Sequence, residues 1–217
     1  GLSAAANWSQ EFRTLDPMQN NLFGVYDHQN NRSNYLRHSV DSQYNDNSRF
    51  GAMLNMTWII PSGVAKFQFK NIFNRIDNHR YTLRDGISAQ ANEEKSAEYF
   101  YRSRTTYNGQ VTGTYYLGDN TLDWCSGFSY ADRIVPDRRR YLVNDALESG
   151  VMALTTGNDV SREWTDLREG ITSLSVNDKQ VFHIGDREGY VKGGVYGEYR
   201  GRKYNTRVFI YNWNVYD

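Results

Sequence analysis

The stretch Tyr101–Leu117, YRSRTTYNGQVTGTYYL, alternates with period two from end to end. One set holds Tyr101, Ser103, Thr105, Tyr107, Gly109, Val111, Gly113, Tyr115 and Leu117; the other holds Arg102, Arg104, Thr106, Asn108, Gln110, Thr112, Thr114 and Tyr116. That period places successive side chains on opposite faces of a β-strand. The first set is uncharged and rich in rings, and the second is wholly polar. A soluble sandwich would turn the second set to water, so alternation alone does not decide the environment. Length says more, because about 17 residues is roughly three times the usual globular strand.

Neighbouring segments repeat the signal. After Gly118-Asp119-Asn120, the residues Leu122, Trp124, Ser126, Phe128 and Tyr130 oppose Asp123, Cys125, Gly127, Ser129, Ala131 and Arg133. Upstream, Phe50, Ala52, Leu54, Met56, Trp58 and Ile60 share a face, Pro61-Ser62-Gly63 makes a turn, and Ala65, Phe67, Phe69 and Phe73 return opposite Lys66, Gln68, Lys70 and Asn74. A third pair is expected from Tyr190 to Trp213 around Arg200-Gly201-Arg202. The hairpins are therefore placed at about 48–83, 99–135 and 190–213, and the polar stretches 1–47, 84–98 and 136–189 are read as long loops. Short turns and long loops then alternate, which gathers the short turns at one end of the sheet. Transmembrane barrels sort their connections in this way.

Composition agrees with a folded β protein. Of 217 residues, 17 are Tyr and 5 Trp, and 25 basic side chains balance 25 acidic ones, so the chain is neither depleted in aromatics nor highly charged as a disordered chain would be. Neutrality and scattered Lys and Arg speak against a nucleic-acid partner. No run approaches the ~20 apolar residues of a membrane helix, a test that strands escape because only one of their faces is apolar. Trp58, Tyr115 and Trp124 lie close to the short turns on the ring-rich face, where an aromatic girdle would mark a membrane boundary; a simple preference of aromatics for strands is the alternative.

The segments 47–75 (NSRFGAMLNMTWIIPSGVAKFQFKNIFNR), 107–140 (YNGQVTGTYYLGDNTLDWCSGFSYADRIVPDRRR) and 162–213 (REWTDLREGITSLSVNDKQVFHIGDREGYVKGGVYGEYRGRKYNTRVFIYNW) taken in succession resemble TonB-dependent outer-membrane receptors of the Bacteroidetes type. The resemblance covers most of the chain from about residue 33 and rests on no single motif. It implies a bacterial outer-membrane location, a wide 22-stranded barrel blocked by a plug domain, and energy-coupled import driven through TonB. The implied partners are the plug, TonB, outer-membrane lipid and lipopolysaccharide, with a surface lipoprotein where one exists. The chain departs from the family in having no plug-like region, no TonB box, too few strands to close a wide barrel, and a terminal Tyr216-Asp217 in place of an aromatic end. The expectation is a slice of a larger receptor.

A search for reactive chemistry returns little. His28, His38, His79 and His183 form no i,i+4 pair, Cys125 stands alone, and neither a G-x-S-x-G elbow nor a P-loop occurs, so neither an enzyme nor a cofactor is expected. Arg138-Arg139-Arg140 offers guanidinium forks to a carboxylate or phosphate, against the plainer reading of a solvated strand end balanced by Asp132, Asp137 and Asp145. Trp164, placed in the longest loop, offers a flat face to a sugar, against a small cluster with Leu167 and Ile171. Lys66, Lys70, Arg102, Arg104 and Glu198 are expected to face a barrel lumen. Two rivals remain open: a small complete barrel or passive porin in which residues 1–47 add strands, and a soluble extracellular β-sandwich or solenoid that binds glycans. A surface enzyme ranks last.

Overall fold

A computed structural model describes residues 1–87, 92–145, 154 and 160–211. Seven strands follow one another: β1 (Leu2–Asp27), β2 (Arg32–Ile59), β3 (Ala65–Ile87), β4 (Glu93–Leu117), β5 (Asn120–Asn144), β6 (Val160–Ile184) and β7 (Arg187–Tyr211). Each pairs antiparallel with the next in a single sheet of order β1 to β7, so the fold is an all-β up-and-down meander. No helix occurs among the described residues, and hence none long and apolar enough to cross a membrane. β1 and β7 do not pair, so the sheet is open.

The strands run 23 to 28 residues, or ~75–90 Å, where 9 to 11 tilted residues suffice to cross a bilayer. Long strands need turns that do not fight their twist. Gly118-Asp119 and Gly185-Asp186 are two-residue turns closed by Leu117↔Asn120 and Ile184↔Arg187, with φ of 65° and 60° at the glycines. Positive φ at the first central position alone is the type II′ arrangement, which matches the twist of a hairpin. Between β2 and β3 the chain turns through 60–64, with Gly63 at φ 72° donating its N–H to the Ile60 carbonyl at 2.8 Å. The chain has three prolines, and none interrupts a regular ladder: Pro61 lies in that turn, and Pro17 and Pro136 sit at register shifts, where a residue without an N–H is tolerated.

Several expectations are corrected. Residues 1–47 are not a loop; they form β1, the turn 28–31 and the first part of β2. Strand likewise occupies most of 84–98 and, within 136–189, the end of β5 and all of β6. No turn occurs at 200–202, because Gly201 pairs with Gly170 in mid-strand and the reversal lies at Gly185-Asp186 instead. The hairpins therefore extend well beyond 48–83, 99–135 and 190–213. The connections at 60–64, 118–119 and 185–186 share one end of the sheet, but the other end also has short ones, at 28–31 and 88–92, and only 145–159 is long, so the strict alternation of short turns and long loops does not hold. These polar stretches carry charge on both faces, so the period-two signal fades although the backbone ladder continues.

Cross-strand pairing puts partners on the same face, so the register sorts every strand into two faces. The aromatic face contains the row Trp58, Phe67, Gly113, Trp124, Val176 and Val195, and the row Phe50, Arg75, Thr105, Asp132, Arg168 and Lys203 four rows nearer the long-loop end. That second row is a frontier. Between it and the short turns, the aromatic face carries no charge over 50–58, 65–73, 107–117 and 120–130. Asp178 and Arg187 are the charged exceptions, in β6 and at the tip of β7. Beyond the frontier, in what we call the distal half, both faces are polar.

The sheet has one layer. Among the described residues the only buried hydrophobic side chains are Ala65, Ala97 and Val135. The accessible surface is 15301 Å², where a folded monomer of 25.2 kDa exposes ~10,300 Å². Rings and aliphatic chains of the aromatic face are left open, with Trp58 at 61% and Leu174 at 53% exposure. A domain needs a second layer to bury such a face, and none is present among the described residues.

Candidate functional site

Within the uncharged band, the aromatic face is organised near the short turns. Trp58 lies 6.1 Å from Phe67, whose ring meets Tyr115 edge-on at 5.7 Å. The Trp124 indole lies across Gly113, where an added Cβ would overlap it. Trp58, Tyr115 and Trp124, expected as a girdle, thus share one face and one end of the sheet. Lys66, Lys70, Arg102, Arg104 and Glu198 all fall on the opposite, polar face. Around Lys66 and Lys70 that face is hydrogen-bonded and small-grained: Asn177 donates to Asp123 at 2.7 Å, and Gln110 reaches the Cys125 sulfur at 2.9 Å. Glu198 accepts from the Tyr196 hydroxyl at 2.6 Å.

The distal half of the polar face is dense in charge. Arg84 forks onto Asp41 at 2.7 and 2.9 Å, and Asn20 donates to the same carboxylate at 3.1 Å, which explains how Asp41 persists at 2% exposure. Glu98 accepts from Arg80 at 2.9 Å and from Arg138 Nε at 2.7 Å. Burial pushes the Glu98 carboxyl up, but Arg138 and Arg80 outweigh it and hold the group below the ordinary carboxylate range. The Phe100 ring is flanked by three guanidinium carbons, those of Arg80 at 5.0 Å, Arg138 at 5.5 Å and Arg102 at 5.8 Å.

Arg80 and Arg138 have carboxylate partners, whereas Arg102, Arg104 and Arg133 make no ion pair among the described residues. Arg104 and Arg133 face each other directly across β4 and β5. Arg202 joins them from β7, its Nε 3.6 Å from Glu169. Thr106, Leu167 and Glu169 complete a cavity of about 270 Å³ around these four arginines. Burial, then the neighbouring charges of Arg133, Arg104 and Arg80, hold the Arg102 guanidinium below its ordinary pKa.

The run Arg138-Arg139-Arg140 does not act as one group, because strand alternation splits it. Arg138 and Arg140 point to the polar face, the first onto Glu98 and the second into a cavity of about 550 Å³ with Ser161, Val208 and Ile210. Arg139 points to the aromatic side and pairs with Asp137 at 2.6 Å. The run lies in the last part of β5, which continues four residues past Arg140 to Asn144. Trp164 is a strand residue of β6, not a loop residue; it meets Phe209 edge-on at 5.4 Å beneath the Arg162 guanidinium at 5.0 Å. Leu167 and Ile171 are on the other face, so the small cluster with them does not form. Among the described residues no group of His, Cys, Asp or Glu is arranged to hold a metal.

Sequence reasoning put Arg133 on the polar face of its strand without singling it out as a site residue, and it missed Arg202 because Arg200-Gly201-Arg202 reads as a turn. Correct register alone brings them beside Arg104. No protein-family model matches the chain, and no curated protein matches it.

Proposed function

We propose that the chain is a wall segment of a TonB-dependent outer-membrane receptor, a large barrel that imports a nutrient ligand by energy-coupled transport. The observation that carries this reading is the uncharged band on one face of a single-layer sheet. Nine to 11 residues in each of β2 to β5 span ~30–36 Å along the strand and, at a tilt of ~45°, ~21–25 Å of height. That is the height of the outward apolar band of outer-membrane barrels. Lipid covers this face without a second protein layer, and the polar face lines a wet interior. Strands spanning a bilayer must close, since unpaired N–H and C=O groups find no water there. The open edges at β1 and β7 support a sheet that continues into further strands.

TonB dependence rests on the family resemblance, and the distal halves of the strands support it by projecting far past the bilayer as a wide receptor's extracellular rim would. A small complete barrel is less well supported, because β1 and β7 do not meet and seven strands fall short of the bacterial minimum of eight. A soluble sandwich lacks its second sheet. The test is fractionation and uptake with the complete gene product. We expect it in the outer membrane, with electrophoretic mobility that shifts on heating, and uptake abolished by deleting TonB. Recovery in the soluble fraction without detergent would refute the membrane reading, and uptake indifferent to TonB would leave a passive pore.

A further inference from the structure

We infer that Arg102, Arg104, Arg133 and Arg202 form a binding site for an anion presenting carboxylate or phosphate oxygens. The inference deepens the uptake reading, on which it rests for the site's place inside a pore. Its first ground is a local imbalance. The chain as a whole is neutral, with 25 basic and 25 acidic side chains. Here four guanidiniums share one cavity with a single carboxylate of their own face, Glu169, and that group is engaged with Arg202. Asp132 also borders the cavity, but it belongs to the aromatic face, and its oxygen accepts the Thr105 N–H at 3.2 Å.

The second ground is the pairing. Arg104 and Arg133 occupy directly opposed positions of adjacent strands. Like charges so placed destabilise a sheet, whereas opposite charges or β-branched pairs stabilise it. The rest of the distal polar face shows that acids are available to arginines on these strands. Arg84 has Asp41, and Arg80 and Arg138 share Glu98, with Glu163 3.5 Å from Arg138. Arg13 and Arg140 on that face also make no ion pair among the described residues, but they stand apart, whereas Arg102, Arg104 and Arg133 converge on one cavity from β4 and β5, with Arg202 joining them from β7. Arg102 lies two residues from Arg104 on the same face, opposite the irregularity around Pro136 in β5, so β5 gives it no regular partner, and on β3 it faces the neutral Asn78.

The third ground is the match to ligand chemistry. Planar forks take two oxygens of a carboxylate or phosphate at once. A cavity of about 270 Å³ lies near the lower limit for small-molecule sites, the size for a compact polyanion or one charged end of a longer ligand. Arg104, Arg133 and Arg202 are exposed, so the site is open to the lumen side. An anion bound there replaces mutual repulsion with charge-assisted hydrogen bonds.

The experiment titrates the complete receptor, purified in detergent and freed of lipopolysaccharide, with inorganic phosphate, citrate and an uncharged disaccharide in a calorimeter. Heat-shifted electrophoretic mobility checks the fold of each variant. The expected result is binding of both anions but not the disaccharide, weakened by salt, and weakened roughly tenfold or more in R104Q/R133Q, as loss of a hydrogen bond to a charged group implies. R104Q alone should show a smaller loss, and serves should the double variant not fold. R75Q, on the other face, should bind as the wild type does. Absence of phosphate and citrate binding, or equal binding by wild type and R104Q, overturns the inference. So does anion heat that appears only when lipopolysaccharide is restored, which would make a lipid phosphate elsewhere the source. Failure of the uptake reading has a different signature, a protein without heat-shifted mobility whose anion binding still depends on Arg104.

Discussion

Val111 and Thr112 are adjacent residues of β4 on opposite faces of the sheet, which the proposed barrel would turn to lipid and to the lumen. Val111 lies on the aromatic face between Phe69 and Ser126, three rows below the charged frontier at Thr105 and two or three above the turn at Gly118. Three rows are six residues, ~20 Å along the strand and ~14 Å along the membrane normal at a 45° tilt. In a band ~21–25 Å tall that is close to mid-depth. Arginine at the midplane of the lipid face of a barrel destabilises it by ~2–4 kcal/mol, while lumen positions tolerate charge. V111R should therefore lose ~2–4 kcal/mol and T112R less than ~1 kcal/mol, although both insert the same side chain one residue apart. Denaturant unfolding of the complete protein in phospholipid vesicles, followed by tryptophan fluorescence, measures the difference. On a sheet wetted on both faces each variant would stay within ~0.5 kcal/mol of wild type. Equal losses, or a larger loss for T112R, would refute the assignment of faces.

Two further outcomes follow from local geometry. Gly185 turns the chain with φ 60°, a conformation that is unfavourable for an L side chain by ~1–2 kcal/mol, so G185V should lower unfolding stability by about that much and G185N by less. Asp137, in the distal half, is held down to about 2 by hydrogen bonds from Arg162, then opposed by burial and aided by Arg139. Its folded value lies below the ordinary 3.8, so the stability it contributes is present above about pH 4 and lost as pH falls through about 2. Carboxyl NMR should find the midpoint near 2, and R162Q should raise it toward 3.8; a midpoint already at 3.8 in the wild type would contradict the pairing.

How much of the fold was legible depended on where charge lies. Tyr101–Leu117 and its neighbours were readable because one face there is uncharged and the other polar, so period two stands out. In Val160–Ile184 the aromatic face itself holds Arg162, Asp166 and Arg168, and the two faces no longer contrast. The ladder there is set by backbone pairing and by cross-strand partners distant in sequence, which a local pattern does not reveal. The false turn at Arg200-Gly201-Arg202 has a plain cause: glycine between two charges resembles a reversal, yet Gly201 sits opposite Gly170 in mid-sheet. The true reversal repeats the Gly-Asp pair of Gly118-Asp119, a signal present in the sequence. That Trp58, Tyr115 and Trp124 share one face and the five polar residues the other was legible because each lies in or beside a strand with a clear period. The arginine cluster was not, since Arg133 and Arg202 meet only when the register from β5 through β6 to β7 is known.

The most direct test is a cysteine scan of residues 107–117 in a C125S background, with the complete protein in intact outer membranes. Each variant is exposed to a charged, water-soluble maleimide and, separately, carries a spin label whose relaxation by oxygen dissolved in lipid is read. Positions 108, 110, 112 and 114 should react with the maleimide from the lumen, whereas 107, 109, 111 and 113 should resist it and relax with oxygen. Labelling without alternation, or with the two sets exchanged, would contradict a lipid-facing aromatic surface.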